Sequence, residues 1–220
     1  MLSFQEYLTL FAGDPGRFGR NAAHYVCDMF EHFGTQKVER PWGTTTRYSL
    51  FDAPWQNEQL PGQEPTLVGQ ERLQEEIYRA LGNFSREGRA NRLVLMHGPN
   101  GSAKTTVASC MLRALEEYSA SDAGSLYRFH WIFPKRAKGR AAIGFGGAEA
   151  AREPDSYAHL EEDGIDARLI IELRDHPLFL LPRTERRPLL EELYEEAGLG
   201  GPPEWLINGQ LCHKNKQIFE

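Results

Sequence analysis

The sequence predicts an α/β fold in which a parallel sheet lies between two helical layers, with a small helical extension at the N-terminus. The main observation is the order of three segments: an apolar run at residues 93–96, the glycine-rich stretch GPNGSAKTT at 98–106, and helical spacing of apolar residues over 105–118. A strand, a tight glycine loop and a helix in this order typify the phosphate-binding unit of P-loop NTPases. We therefore expect a three-layer αβα P-loop fold.

The first sixty residues are expected to form a helical extension and a linker. Ser3 and Glu6 have the spacing of a capping box, which predicts a helix over 3–12. Apolar residues at helical spacing predict a second helix over 19–33, ended by Gly34.

An extended segment and a proline-containing stretch come after these helices. Residues 44–51 are rich in Thr, Tyr and Phe, which favours an extended conformation. Prolines at 54, 61 and 65 indicate a loop or linker. We therefore expect two regions, the extension and linker at 1–60 and the nucleotide-binding domain at 61–220.

The second region alternates between helix and strand patterns, as a parallel sheet with crossover helices requires. Helices are expected over 69–86, 105–118 and 188–197, with a further helix beginning within 208–220. Strands are expected over 92–96, 126–134 and 169–173. A basic and then glycine-rich stretch at 135–147 is expected to be a solvated, flexible loop.

Composition narrows the class of protein. The chain has 220 residues, a formal net charge of -6 and three cysteines without metal-ligand spacing. The acidic balance argues against a nucleic-acid-binding protein, and sparse, unpaired cysteines favour a cytoplasmic compartment. No run of about 18 apolar residues and no leader pattern is found, so we expect neither a membrane span nor a signal peptide.

The glycine-rich loop is the candidate binding site. Main-chain N–H groups of such a loop and of the first helical turn converge on one point, where they favour a phosphate group. Lys104 is expected to reach the β- and γ-phosphates of ATP, and the Thr105 hydroxyl to bind the accompanying Mg²⁺. The expected nucleotide-binding residues of the loop are Gly98, Pro99, Asn100, Gly101, Ser102, Ala103, Lys104, Thr105 and Thr106.

Ala103 departs from the P-loop pattern G-x-x-x-x-G-K-[ST], which has glycine at this position. If the φ of Ala103 is helical, the extra methyl group has little effect on stability. If the φ is positive, the methyl group destabilises the loop by roughly 1 kcal/mol or somewhat more. Phosphate entry is expected to survive in both cases, because the N–H donors of the backbone remain.

A second segment supports nucleotide binding. LVGQE at 67–71 lies upstream of the loop and opens a helix, and it resembles the adenine-side segment of AAA+ ATPases. In that family two apolar residues and their backbone contact the base. The resemblance implies that Val68 and Gly69 lie against the adenine of ATP.

Several stretches together resemble the N-terminal AAA+ module of the PrkA-type bacterial serine protein kinases. They are FQEYLTLF, RNAAHYVCDMFEHFG, LVGQERLQEEI, HGPNGSAKTTVASCMLRALEEYS, SLYRFHWIFP, HPLFLLP and NGQLCHKNKQIFE. The resemblance implies a cytoplasmic protein that binds Mg-ATP and serves phosphorylation of a protein substrate on serine. It also implies homo-oligomeric rings.

The sequence departs from the family pattern downstream of the loop. A hydrolysing AAA+ site needs four apolar residues followed by Asp-Glu, and the nearest candidate, residues 169–172, ends in Glu172 alone. A kinase-like region is also missing, so the chain is interpreted as the front part of a longer family member. Three functions stay open: an ATP-dependent serine kinase, a mechanical AAA+ ATPase such as an unfoldase, and a nucleotide-binding remnant without turnover.

Overall fold

The structure is a computed structural model that describes residues 1–41, 43–55, 65–88, 93–135 and 156–220. The chain divides into two compact units. We call Arg20–Leu126 the central unit, and Met1–Gly19 together with Tyr127–Glu220 the terminal unit. The region boundary expected at residues 60–61, and residues 136–147 of the basic, glycine-rich stretch, lie outside the described residues.

Helices dominate the part of the chain that the structure describes. In chain order its eight α-helices are α1 (Phe4–Gly13), α2 (Pro15–Phe18), α3 (Ala22–Phe33), α4 (Glu71–Glu87), α5 (Lys104–Ala120), α6 (Arg183–Glu196), α7 (Glu204–Asn208) and α8 (His213–Phe219). The strands are β1 (Thr35–Arg40), β2 (Gly43–Tyr48), β3 (Trp131–Pro134) and β4 (Ile165–Leu169). β1 pairs with β2 and β3 pairs with β4, both antiparallel.

The predicted three-layer P-loop fold with a parallel sheet is wrong. Both sheets in the described residues are small, two-stranded and antiparallel. Residues 93–96, expected as the first strand, form none, and their exposed fractions run from 86% at Leu93 to 39% at Met96. Their backbone groups bond to no other described segment. An apolar run has a preference for extended backbone, but it becomes a strand only where a second strand pairs with it.

The other predicted strands are shorter or displaced. Only residues 131–134 of the expected strand at 126–134 join a ladder. The strand expected at 169–173 lies instead at Ile165–Leu169, opposite β3. The residues that pair with β3 are those that precede the apolar run at 169–173, and the ladder ends at Leu169, where that run begins.

In the central unit α3 packs against α4 and α5, α4 packs on β2 of the β1–β2 hairpin, and α5 packs on the short turn of helix at Ser49–Asp52. Asn21 caps α3 by accepting from the His24 N–H at 2.8 Å, and Gly34, at φ 77°, ends the helix where β1 begins. The predicted helices at 19–33, 69–86 and 105–118 are confirmed within a few residues. Their buried faces form one core, made of Met29, Phe30, Tyr48, Leu50, Phe51, Leu67, Ile77, Val107, Cys110, Ala114 and Tyr118.

The terminal unit packs α1 with helices from the C-terminal part of the chain. The capping box of α1 is confirmed: Ser3 Oγ accepts from the Glu6 N–H at 3.2 Å, and the Ser3 N–H donates to Glu6 Oε2 at 2.6 Å. Helix α6 begins at Arg183, earlier than expected, and contains Pro188. The core of this unit is Tyr7, Phe11, Phe18, Leu178, Leu190, Tyr194, Leu206 and Ile207.

Candidate functional site

The glycine-rich loop folds into a tight turn before α5. A Cβ at Gly98 would lie 2.7 Å from Ser102 Oγ, so only glycine fits there without a shift of the serine side chain. Gly101 has a φ of 82°, and the Ser102 N–H donates to the Pro99 carbonyl at 3.3 Å. The loop therefore turns back on itself, as main-chain cradles for anions do.

Ala103 adopts the left-handed conformation, with φ 59° and ψ 15°. For alanine this conformation has a higher free energy than a helical one, because its Cβ crowds the following carbonyl oxygen. The alanine is packed against the central core and directly precedes α5. The position thus has the backbone geometry that favours glycine, and the chain tolerates alanine there at the expense of stability.

Lys104 folds back over the loop. Its ammonium group donates to the carbonyls of Gly98 and Pro99, each at 2.8 Å, and to Ser102 Oγ at 3.0 Å. No carboxylate of the described residues forms an ion pair with it. The positive charge is therefore held by neutral oxygens alone, and an anion placed beside the loop gains from it directly.

The first turn of α5 adds main-chain donors to this charge. The helix has 17 residues and no side chain caps its N-terminus. Its first N–H groups have no partner within the helix, and the helix dipole places partial positive charge there. The Thr105 side chain is exposed on this turn, whereas Val107 and Cys110 anchor the helix in the core. Donors, ammonium and hydroxyl are thus brought together at one end of a firmly packed helix.

The segment at 67–70 divides between core and solvent. Leu67 is 3% exposed and its N–H donates to the Phe51 carbonyl at 2.9 Å, whereas Val68 is 87% exposed. Gly69 and Gln70 both have positive φ, at 75° and 64°, and lead into α4. Val68 is therefore presented outward, directly before the half-buried Gly69, at which the backbone turns.

Two contacts place this segment on the core that also anchors α5. Leu67 belongs to the same hydrophobic cluster as Val107, and Ala103 packs against that cluster. The Cys110 thiol donates to the Pro65 carbonyl at 3.2 Å. In the described part of the chain no hydrogen bond joins Val68 or Gly69 to the loop itself.

Buried polar residues that the sequence reasoning missed hold the 67–70 segment. Gln74 is fully buried; its Oε1 accepts from the Tyr48 N–H at 2.9 Å and its Nε2 donates to the Gly69 carbonyl at 3.0 Å. Glu71 pairs with Arg40 and, at 3.9 Å, with Arg47. Its own main-chain N–H, and then Arg40, lower the pKa of the Glu71 carboxyl. The only sequence signal was polar residues at helical spacing among the buried apolar positions of α4.

Acidic residues expected near a hydrolysing site are not brought to the loop. Glu172 is exposed, belongs to the terminal unit and follows the end of β4. Asp175 is used within the terminal unit, where it accepts from the Cys212 N–H at 2.6 Å and from Asn215 Nδ2 at 2.8 Å. Among the described residues no cluster of three or more His, Cys, Asp or Glu could hold a metal ion.

None of the helices that the structure describes combines the length and the hydropathy needed to cross a membrane. Comparison with protein-family models, with curated proteins and with solved structures finds no match for this chain.

Proposed function

We propose that the chain binds Mg-ATP through the loop at residues 98–106. The observation that carries the proposal is the Lys104 ammonium, held by two carbonyls and a hydroxyl at the uncapped start of α5. Phosphate oxygens are stronger acceptors for an ammonium than carbonyls are. Binding would exchange these bonds for bonds to the β- and γ-phosphates, without moving the helix.

The neighbouring residues would complete the site. Main-chain N–H groups at the start of α5 would donate to the phosphates, and the exposed Thr105 hydroxyl would be one ligand of the Mg²⁺ that bridges them. Val68 and Gly69 would contact the adenine, because a largely exposed valine beside a turned backbone offers an apolar face and main-chain groups. The proposal concerns this local site and does not require a parallel sheet.

We further propose that ATP binding serves a serine protein kinase of the PrkA type, located in the cytoplasm. The resemblance of the quoted stretches supports this class, and the three cysteines are free thiols, as a reducing compartment favours. Two of those stretches, HPLFLLP and NGQLCHKNKQIFE, meet in the terminal unit, where Arg186 donates to the carbonyls of Leu178 and Gly209. The alternatives are a mechanical ATPase and a binder without turnover.

The binding proposal is tested by calorimetry and thermal unfolding with Mg-ATP, using Lys104→Ala. Saturation of the wild-type chain at about 100 times Kd should stabilise it by about 2.7 kcal/mol, and the variant should lose most of this gain. Lys37→Ala is the matched control, because Lys37 lies in the same unit on the hairpin and contacts Thr46 Oγ1 at 3.1 Å. Absence of heat and of a melting shift in the wild type would refute the proposal.

The class of activity is tested separately. Transfer of label from γ-labelled ATP to serine of a protein supports the kinase, whereas release of inorganic phosphate without transfer favours a mechanical ATPase. Binding with neither product favours a nucleotide-binding remnant. Any of these activities is assigned to the loop only if Lys104→Ala abolishes it.

A further inference from the structure

A cavity of about 540 Å³ lies within the terminal unit, separate in sequence from the glycine-rich loop. It is bordered by the start of α1, by residues 127–132 at β3, by residues 156–158, and by Pro177 and Leu180. Its volume falls within the range of about 300–1,000 Å³ that is typical of small-molecule sites.

Six of the sixteen described lining residues are aromatic: Phe4, Tyr7, Tyr127, Phe129, Trp131 and Tyr157. Tyr7 lies between two of these rings, with ring centroids 6.5 Å from Phe4 and 5.8 Å from Tyr127. On the segment that leads into β3, the rings of Phe129 and Trp131 meet edge to face, with centroids 5.6 Å apart. Aromatic walls of this kind bury a flat apolar ligand and hold it by offset or edge contacts.

The charge of the lining is one-sided. Arg128 lines the cavity and is exposed, and it forms no ion pair with the described residues. None of the described lining residues is Asp or Glu. An unpaired guanidinium beside an apolar space, with no competing carboxylate, favours a ligand that carries one anionic group.

His130 supplies a second polar group in the lining. Its Nε2 is buried and has no hydrogen-bond partner among the described residues. Burial, and then the positive charges of Arg128 and Arg168, lower the pKa of His130, which favours the neutral imidazole. Buried polar atoms are rarely left without a partner, and an oxygen of a ligand in the cavity is a candidate partner for this nitrogen.

We propose that this cavity binds a small aromatic carboxylate, with the aromatic part between the Tyr7 and Trp131 walls and the carboxylate on Arg128. His130 would donate to the same carboxylate or to a neighbouring ligand oxygen. This site is independent of Mg-ATP binding, because none of the residues that carry it belongs to the central unit. Size, apolar walls and the positive charge of Arg128 favour one compact anionic ligand.

The test uses naphthalene-2-carboxylate and its neutral counterpart 2-naphthalenemethanol, measured by calorimetry on the full chain. The carboxylate should bind more tightly than the alcohol, and Arg128→Met should weaken carboxylate binding by about tenfold or more while leaving the alcohol unchanged. Arg187→Met is the matched control, because Arg187 is an exposed arginine of the same unit that does not line the cavity.

A second variant tests the location of binding. Ala158→Leu places a larger side chain in the lining and should weaken both compounds, with Ala158→Phe as the stronger form of the same change. The melting temperature of each variant is measured first, so that loss of binding is scored only on folded protein. Equal affinity for the two compounds, equal binding by Arg128→Met, or no saturable binding by the wild type would overturn the proposal.

Discussion

Each unit contains a positively charged side chain that donates to main-chain carbonyl oxygens. Lys104 does so at the glycine-rich loop of the central unit, and Arg186 does so within the terminal unit, but the two side chains differ in burial. Lys104 is half-buried and donates to the carbonyls of Gly98 and Pro99. Arg186 is 1% exposed and donates to the carbonyls of Ile207 at 2.9 Å and Gly209 at 2.5 Å. Among the described residues, neither cation has a carboxylate partner.

Burial decides what each cation does. Arg186 also donates to the Leu178 carbonyl at 3.3 Å and lies over the Phe179 ring at 5.0 Å, so it joins the start of α6 to two other segments. Burial, and then the charge of Arg183, lower the pKa of Arg186. A fully buried cation cannot exchange carbonyls for a ligand, whereas a half-buried cation beside an exposed loop can reach one. The same interaction is therefore structural in the terminal unit, and in the central unit we propose that it serves binding.

Truncating the two cations sharpens this comparison and should give the largest effect. Arg186→Ala should destabilise the terminal unit by about 4 kcal/mol, because it leaves buried carbonyls unsatisfied and removes a large buried side chain. Lys104→Ala should change the free energy of unfolding by less than about 1 kcal/mol without nucleotide, because water replaces its bonds. Urea unfolding followed by tryptophan fluorescence measures both.

Arg187→Ala is the control for the arginine variant, since this neighbour is exposed and has only a 3.5 Å ion pair with Glu191. It should shift the free energy of unfolding by no more than about 0.5 kcal/mol. A cost for Arg186→Ala no greater than that of Arg187→Ala would remove the distinction drawn between the two regions.

Acid should weaken the terminal unit through His176. Its Nε2 lies 3.1 Å from the Phe18 carbonyl, its Nδ1 accepts from the Leu178 N–H at 3.3 Å, and burial lowers its pKa to about 4. As pH falls, His176 of the unfolded chain is therefore protonated at a higher pH than the buried His176 of the folded protein. The stabilisation is present above the unfolded value of about 6.5 and is lost as pH falls toward 4, by about 3 kcal/mol.

The measurement compares unfolding free energies of wild type and His176→Phe from pH 7 to pH 4. The variant should show a flatter pH dependence over this interval, because the phenyl ring does not titrate. His159→Gln, at an exposed histidine that pairs with Glu6 at 3.0 Å, should keep most of the wild-type slope. Parallel curves for wild type and His176→Phe would contradict the assignment.

The smallest effect is expected at Ala103 in the loop. Ala103→Gly should stabilise the central unit by about 1 kcal/mol, because glycine adopts the observed φ of 59° without steric cost. Ala108→Gly, within α5, should destabilise the unit by about 1 kcal/mol because its φ is helical. Thermal unfolding that gives both changes the same sign would show that Ala103 is not strained.

Local signals in the sequence predicted most of the helices. The capping box at Ser3 and Glu6, the glycine at position 34 and the 3.6-residue spacing in α4 and α5 all lie where the structure has helix boundaries and buried faces. These signals depend on contacts three or four residues apart, so they are visible in the sequence. The hairpin strand β1 was missed because its residues, TQKVER, are mostly polar and exposed.

Most helical segments, and the glycine that ends α3, could therefore be predicted from local patterns. Strand pairing could not be predicted in this way, since the apolar run at 93–96 has no partner strand among the described residues while the less apolar β4 has one. The tertiary structure also decided that Ala103 has a positive φ, and that Gln74 and Arg186 are buried. The physical reason is that pairing and burial depend on residues far apart in the chain, whose meeting no local pattern encodes.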